Sequence, residues 1–205
     1  FYKAYADQGY KTAGEAEPKS FREVAAKVRQ RGQEYGAALT EEYPQIVLMV
    51  AASLYEGAYR VALRKELEGA QGGIHDTGFA LMPAFFDGLL VGLDERASLV
   101  SACEATYLDS TYQDMLVVRD QAIRLAPILS ATPALARKRI RFCTAIWTDA
   151  GWGKDRFSPT DVRANQRDPE RHKHAAHNAL AVSDKYAWLY GEMPWITAPP
   201  TPLMR

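Results

Sequence analysis

The chain has 205 residues, of which 47% are hydrophobic and 24% charged, and its 25 Lys and Arg residues balance its 25 Asp and Glu residues. This composition is typical of a globular protein. Proteins that bind nucleic acids need clustered Lys and Arg residues to contact the phosphates. The zero net charge and the lack of such a cluster argue against a nucleic-acid partner. No apolar run reaches the roughly 20 residues of a membrane-spanning helix, so we expect no membrane partner.

The first helix is predicted from its start signal. Ser20 is a typical N-cap, and Glu23 three residues later completes a capping box. Apolar residues at helical spacing continue to about residue 42, just before Pro44. The apolar, β-branched run at 45–52 then predicts a parallel strand covered on both faces.

The remaining elements alternate between helices and strands. A Gly-rich loop at 69–78 and a polar loop at 151–168 separate some of them. The sequence predicts helices at 55–67, 79–93, 111–129 and 169–183, a short helical stretch after Pro133, and strands at 99–103, 139–148 and 187–192.

The last of these strands is predicted to be buried, with an aromatic face. Side chains alternate between the two faces of a strand. Tyr186, Trp188, Tyr190 and Glu192 therefore share one face, and the carboxylate stands at its carboxyl end. In α/β proteins this end of a strand is where chemistry occurs.

Strands that alternate with helices indicate an α/β fold with parallel strands. Four such strands amount to part, or half, of a (β/α)8 TIM barrel. We interpret residues 1–205 as a single α/β domain, the C-terminal half of a larger barrel, in which residues 194–205 form an irregular Pro-rich tail. Because the first residue is Phe1 rather than Met, we expect a mature product, an excised domain or a trimmed chain.

Acidic residues at the predicted strand ends are the candidate catalytic groups. Glu104, Asp149 and Glu192 each follow or end a different strand. In a barrel these ends meet at one mouth, and two carboxylates in different environments can serve as acid and as nucleophile or base in glycoside cleavage. The alternative is that each acid is a helix N-cap or an ion-pair partner in a loop.

Aromatic side chains near the strand ends suit the apolar faces of sugar rings. The alternative for any of them is ordinary packing in the core. The predicted carbohydrate-binding residues are Tyr55, Tyr107, Trp147, Trp152 and Tyr190.

Metal and cofactor signatures are weak. His174 and His177 lie one helical turn apart, but the His-Glu-x-x-His pattern of zinc hydrolases is missing, so we predict no metal site and no cofactor. Cys103 and Cys143 are too few for a disulfide framework and are expected to be small buried side chains. They do not indicate the compartment, and a periplasmic or secreted location stays open.

Four segments carry a resemblance to a known class of proteins: Gln30-Arg31-Gly32 with Tyr43-Pro44, Phe85-Phe86-Asp87-Gly88, Glu104-Ala105-Thr106-Tyr107, and the run from Ser183 to Glu192. With these segments the chain resembles the C-terminal half of uncharacterised bacterial TIM-barrel proteins, which are similar in layout to glycoside hydrolases. The resemblance implies a bacterial barrel with a carbohydrate substrate, whose N-terminal half would carry further acids.

The sequence therefore predicts a glycoside hydrolase-like enzyme. Three alternatives remain open at this point. They are a non-catalytic carbohydrate-binding protein on the same scaffold, a barrel isomerase or lyase that requires a metal, and a structural or interaction domain.

Overall fold

The computed structural model describes residues 19–51, 53–69, 73–102, 104–150, 158, 161, 163, 165 and 167–192. These residues form a mixed α/β structure. Its helices are α1 (Phe21–Glu42), α2 (Glu56–Leu67), α3 (Met82–Gly92), α4 (Tyr112–Leu129), α5 (Pro133–Arg139) and α6 (Pro169–Val182). Its strands are β1 (Val47–Val50), β2 (Ser98–Ser101), β3 (Ile140–Phe142), β4 (Thr144–Trp147) and β5 (Ala187–Tyr190).

The strands form two sheets. One has the order β1-β2-β3 and the other pairs β4 with β5. β1 and β2 are parallel, as are β4 and β5. The prediction of parallel strands alternating with helices is confirmed at this level.

The described residues fall into two compact units. The first unit takes its residues from Phe1–Ser101 and Gln121–Arg141, and the second from Ala102–Asp120 and Phe142–Arg205. The prediction of a single domain stays a prediction.

In the first unit, α1 and α3 pack so closely that their main chains touch. A Cβ atom added at Gly88 would collide with the carbonyl oxygen of Arg29, and one at Gly92 with that of Gln33. Only glycine permits this approach without moving a helix. The glycines at the contact are Gly32 and Gly36 on α1 and Gly88 and Gly92 on α3.

An apolar core completes the first unit. It is built from side chains of α3, β2, α4, α5 and the segments between them, and Leu90 and Leu99 within it are fully buried. Burial of a side chain of this size stabilises a fold by about 1.5–3 kcal/mol. The core members are Leu54, Tyr55, Phe86, Leu89, Leu90, Leu93, Ala97, Leu99, Ala126, Ala136 and Ile140.

In the second unit, α6 packs against β4, and its buried residues are small. Ala175 and Ala179 are fully buried on α6, and Ala145 and Ile146 are fully buried on β4. Small side chains on the helix allow it to lie close to the sheet.

Several local predictions are confirmed. Ser20 is the N-cap of α1, and both hydrogen bonds of the capping box with Glu23 are present. A short helix, α5, follows Thr132 with Pro133 in its first turn. The structure adds a cap that the sequence did not predict, because Asp168 accepts a hydrogen bond from the main-chain N–H of Arg171 at the start of α6.

The predicted strand at 139–148 is wrong as a continuous element, because it divides into β3 and β4 around Cys143. Side chains take the hydrogen bonds that a neighbouring strand would supply. The N–H of Phe142 donates to the Asp184 carboxylate at 2.8 Å, and the N–H of Thr144 donates to the Ser183 hydroxyl at 3.0 Å.

The prediction that the last strand is buried is also wrong. β5 ends at Tyr190, so Glu192 lies beyond it, and Leu189 on β5 is 61% exposed. Within the described residues α6 packs mainly on β4, which leaves side chains of β5 uncovered. The helix predicted at 79–93 begins later, at Met82, because Thr77 to Leu81 form turns.

Some predictions fall outside the described residues: Cys103, Trp152, most of the polar loop at 151–168, and the tail at 194–205. Among the helices of the described part, none is both long and apolar enough to cross a bilayer.

Candidate functional site

The candidate site lies in the second unit, where β4 and β5 end side by side. Trp147 pairs with Tyr190 in the parallel register. One residue later, the N–H and the hydroxyl of Thr148 both donate to the carbonyl oxygen of Tyr190, at 2.8 and 2.9 Å. These bonds extend the pairing beyond the strands and hold the two aromatic residues next to each other.

Four aromatic side chains gather at these strand ends, and we call them the aromatic cluster: Tyr107, Trp147, Trp188 and Tyr190. The rings of Tyr107 and Tyr190 are stacked, with centroids 5.3 Å apart and planes 21° from parallel. Trp147 lies at 5.8 Å from Tyr190 with its ring edge-on, and Trp188 lies edge-on to Tyr107 at 5.5 Å. Tyr190 is 37% exposed, so the cluster reaches the surface of the unit.

Tyr107 reaches the cluster because a buried threonine anchors the turn before it. Thr106, at the end of the 3-10 turn Glu104–Thr106, is fully buried. Its hydroxyl accepts from the N–H of Ala145 at 2.7 Å and donates to the carbonyl of Ala145 at 2.9 Å. The N–H of Trp147 then donates to the carbonyl oxygen of Tyr107 at 3.2 Å. The turn therefore lies along β4 as a third chain segment.

Glu104 lies beside Tyr107. The phenol O–H donates to Oε1 of Glu104 at 3.2 Å. Burial, followed by the negative charge of Glu104, raises the pKa of Tyr107 well above its usual value. Tyr107 therefore stays protonated and acts as a hydrogen-bond donor at neutral pH.

Asp149 is completely buried and organises the neighbouring main chain and indole ring. Its Oδ1 accepts a hydrogen bond from Nε1–H of Trp147 at 3.1 Å and another from the N–H of Glu192 at 3.0 Å. These contacts orient the Trp147 ring and bring residue 192 next to the cluster. The geometry of Asp149 is that of a positioning residue.

The two other acids differ from Asp149 because both are exposed. Within the described residues, neither Glu104 nor Glu192 forms an ion pair with an Arg or Lys side chain. Both side chains are therefore accessible; the Glu104 carboxylate contacts Tyr107 of the aromatic cluster, and the main chain at Glu192 is held by Asp149.

Arg167 is a supporting residue that sequence reasoning missed. It is nearly buried, and its guanidinium donates to the carbonyl oxygens of Asp109 at 2.6 Å and Trp147 at 3.3 Å. Burial lowers its pKa from the usual value. It fixes the end of β4 from the polar loop, and no sequence motif marks a buried arginine of this kind.

Trp188, which lies edge-on to Tyr107, is fixed by a hydrogen bond to the main chain. Its Nε1–H donates to the carbonyl oxygen of Ala102 at 3.1 Å. The bond ties β5 to the start of the segment that carries Glu104 and Tyr107.

Tyr55 does not belong with these residues, and its predicted role in sugar binding is corrected here. It is 0% exposed and belongs to the core of the first unit. Its hydroxyl donates to Asp87 at 3.0 Å, and burial together with that carboxylate raises its pKa. No face of the ring is open to a ligand.

The histidines do not form a metal site in the part of the chain that the structure describes, where no group of three or more His, Cys, Asp or Glu side chains converges. His174 and His177 are exposed on α6.

Comparison of the chain with protein-family models, with curated proteins and with solved structures finds no match.

Proposed function

We propose that the second unit carries the carbohydrate site of a glycoside hydrolase-like enzyme, with Glu104 and Glu192 as its carboxylates. The observation that carries the proposal is the stacked pair Tyr107–Tyr190, flanked edge-on by Trp147 and bordered by two exposed acids. A half-exposed aromatic surface binds the apolar face of a sugar, and nearby carboxylates accept hydrogen bonds from its hydroxyls.

The chemistry assigned to the acids follows their surroundings. Glycoside cleavage needs one carboxylic acid to protonate the leaving oxygen and one carboxylate to act as nucleophile or base. Glu104 accepts a hydrogen bond from Tyr107, which holds it in place for the role of nucleophile or base. Glu192 makes no such side-chain contact among the described residues and is assigned the proton donor. Asp149 holds Trp147 and the main chain at Glu192 in place.

The scaffold proposed for this chemistry is half of a (β/α)8 barrel. Two parallel strand pairs support it. The positions of β1 and β5 at one end of each described sheet also support it, because additional strands can pair there. A closed barrel gathers the carboxyl ends of its strands at one mouth, which would add further groups to the aromatic cluster.

The experiment is to change Glu104 and Glu192 separately to Gln in the intact protein and to measure kcat/KM on a panel of aryl glycosides. Loss of a general acid or base costs about 10²–10⁴-fold, so each variant should fall by at least that factor. Glu170→Gln is the matched control, because Glu170 is an exposed acid of the same unit on α6. Wild-type rates in both Glu104 and Glu192 variants would contradict the proposal.

A non-catalytic carbohydrate-binding protein is the second candidate. It is favoured by the exposure of Tyr190, because an aromatic platform binds sugars without any reaction. Calorimetry with the same glycosides distinguishes the two. Binding that is lost in Tyr190→Ala, with no product formed by the wild-type protein, would favour binding alone.

A further inference from the structure

The first unit contains a cavity of about 320 Å³ that the proposed carbohydrate site does not use. This volume lies at the lower end of the range of about 300–1,000 Å³ for small-molecule sites. Its walls come from one face of α1, from the turn at Ile74–Asp76, from α3 and from the end of α4. Phe21, Ala25 and Arg29 are spaced four residues apart on α1 and therefore share that face.

Asp87 lies at the base of the cavity, and its hydrogen-bonding capacity is already used. It is 2% exposed. Oδ1 accepts from the hydroxyls of Tyr55 at 3.0 Å and Ser130 at 2.5 Å, and Oδ2 accepts from the N–H of Ala131 at 3.0 Å and from Arg29 at 3.3 Å. An ionised carboxylate offers about four acceptor positions. A cationic ligand would therefore find no vacant acceptor on Asp87.

Arg29, unlike Asp87, has hydrogen-bonding capacity left among the described residues. Its guanidinium carries five N–H donors, and among the described residues it makes one hydrogen bond, the 3.3 Å contact with Asp87. Its side chain is 46% exposed and lines the cavity. The remaining N–H groups can bind an anion, and the planar guanidinium matches a carboxylate with two parallel hydrogen bonds.

Apart from Arg29, Asp87 and Ser130, the side chains of the wall are apolar or aromatic. The ring of His75 packs on that of Phe21 with centroids 4.4 Å apart. Ile74, Pro83 and Leu129 supply aliphatic surface. Because Asp87 is fully hydrogen-bonded, the Arg29 guanidinium is the charged group of the described lining that has donors left for a ligand. This arrangement suits a ligand with a single negative charge and an apolar body, and it does not suit a multiply charged phosphate.

We propose that this cavity is a second binding site, which takes a small organic monocarboxylate with an aromatic or aliphatic body. The carboxylate binds the free N–H groups of Arg29, and the body packs between Phe21, His75 and Leu129. The proposal is independent of the carbohydrate site.

The test is calorimetric titration of the full chain with 3-phenylpropionate and, separately, with the neutral 3-phenylpropanamide. The two molecules have nearly the same shape, and only the acid is charged. We expect saturable binding of the acid and binding of the amide that is weaker by about tenfold or more, because a charge-assisted hydrogen bond is lost. Equal affinity for acid and amide, or no saturable binding of the acid, would overturn the proposal.

Two variants locate the binding. Arg29→Met keeps the apolar stem and removes the guanidinium, so the affinity for the acid should fall by about tenfold. Arg22→Met is the control, because it changes an exposed arginine of α1 outside the cavity and should leave the affinity for the acid unchanged. Ala25→Leu fills part of the cavity without altering any charge and should abolish binding. It serves in place of Arg29→Met if loss of the Asp87 contact prevents folding. Wild-type affinity in Ala25→Leu would place the acid elsewhere and reject the site.

Discussion

The two units achieve close packing by different means. In the first unit, α1 and α3 meet main chain to main chain through glycines, and an apolar core fills the space beside them. In the second unit, side-chain oxygens form hydrogen bonds with main-chain groups. The Thr106 hydroxyl binds the N–H and the carbonyl of Ala145, and the Asp184 carboxylate accepts from the N–H of Phe142. The helix contact of the first unit requires residues without a Cβ atom, whereas the second unit requires side chains with a hydroxyl or carboxylate oxygen at particular positions.

The aromatic residues follow the same division. Tyr55 and Phe86 of the first unit are buried in its core, whereas Tyr107 and Tyr190 of the second unit stack at strand ends with part of their surface open. In the second unit, the Thr106 hydroxyl holds the turn before Tyr107 on β4, so that the Tyr107 ring is not needed to fill a core. The second unit can therefore present a stacked aromatic surface to a ligand, whereas Tyr55 and Phe86 of the first unit lie inside its core.

The strongest way to break the first unit is to add one methyl group at the helix contact. In Gly88→Ala, the new Cβ would overlap the carbonyl group of Arg29 and lie 2.9 Å from the main-chain nitrogen of Gln33. Main-chain atoms cannot rotate away, so α1 and α3 must separate. Overpacking costs about 1–3 kcal/mol and occasionally more, and we expect a loss at or above the upper end in the free energy of unfolding.

Urea denaturation followed by far-UV circular dichroism measures this loss. Gly73→Ala is the control, because in the described part of the chain a Cβ at Gly73 would meet no atom within 4 Å beyond the adjoining residues. If the stability of Gly88→Ala stayed within about 0.5 kcal/mol of that control, the range of an ordinary surface change, the close contact between the helices would be disproved.

The corresponding change in the second unit removes one hydroxyl. Thr106→Val keeps the shape of the side chain but leaves both the N–H and the carbonyl of Ala145 buried without their partner. An unsatisfied buried group costs about 1–3 kcal/mol, and we expect a loss of about 2 kcal/mol in the free energy of unfolding. Tryptophan fluorescence is the appropriate probe, since all four tryptophans fall within residues 142–205.

Thr106→Ser is the matched variant, because it retains the hydroxyl and loses only a methyl group. It should be clearly more stable than Thr106→Val. Equal stability of the two variants would show that the hydroxyl does not support the turn that carries Glu104 and Tyr107.

The parts of the structure that depend on neighbouring residues in sequence were predictable. The capping box at Ser20 and Glu23 is a local pattern, and so is the alternation of strands and helices. The placement of Trp147 and Tyr190 at neighbouring strand ends also followed from sequence, because parallel strands present their ends at one edge. Tyr107 joins them through the turn that Thr106 holds on β4. What failed depended on residues distant in sequence.

Tyr55 and Cys143 illustrate the difference. Tyr55 directly follows the first strand region, but Asp87 and the core of the first unit bury it. The strand breaks at Cys143 because Ser183 and Asp184, about 40 positions later, provide the hydrogen bonds on either side of it. The glycines of α1 and α3 were visible in the sequence, but their partners were not, since a four-residue spacing does not identify which helix it faces.

The smallest expected effect is a pH dependence that belongs to the second unit. Burial, followed by the positive charge of Arg167, lowers the pKa of His172 near the start of α6. The unfolded chain, with a histidine pKa of about 6.5, therefore binds this proton more readily than the folded chain. The stability that neutral His172 contributes is complete above about pH 6.5 and is lost as the pH falls below that value towards the lower pKa of the folded state.

The urea midpoint of the wild-type protein, followed by tryptophan fluorescence, should therefore decrease more between about pH 7.5 and pH 5.5 than that of His172→Gln, which lacks the titrating group. His174→Gln removes an exposed histidine from the same helix and should decrease as the wild type does. A decrease in His172→Gln as large as that in His174→Gln would mean that protonation of His172 is not opposed by Arg167 and burial. The buried guanidinium would then not be close enough to act on α6, and its role would be limited to the carbonyl groups of Asp109 and Trp147.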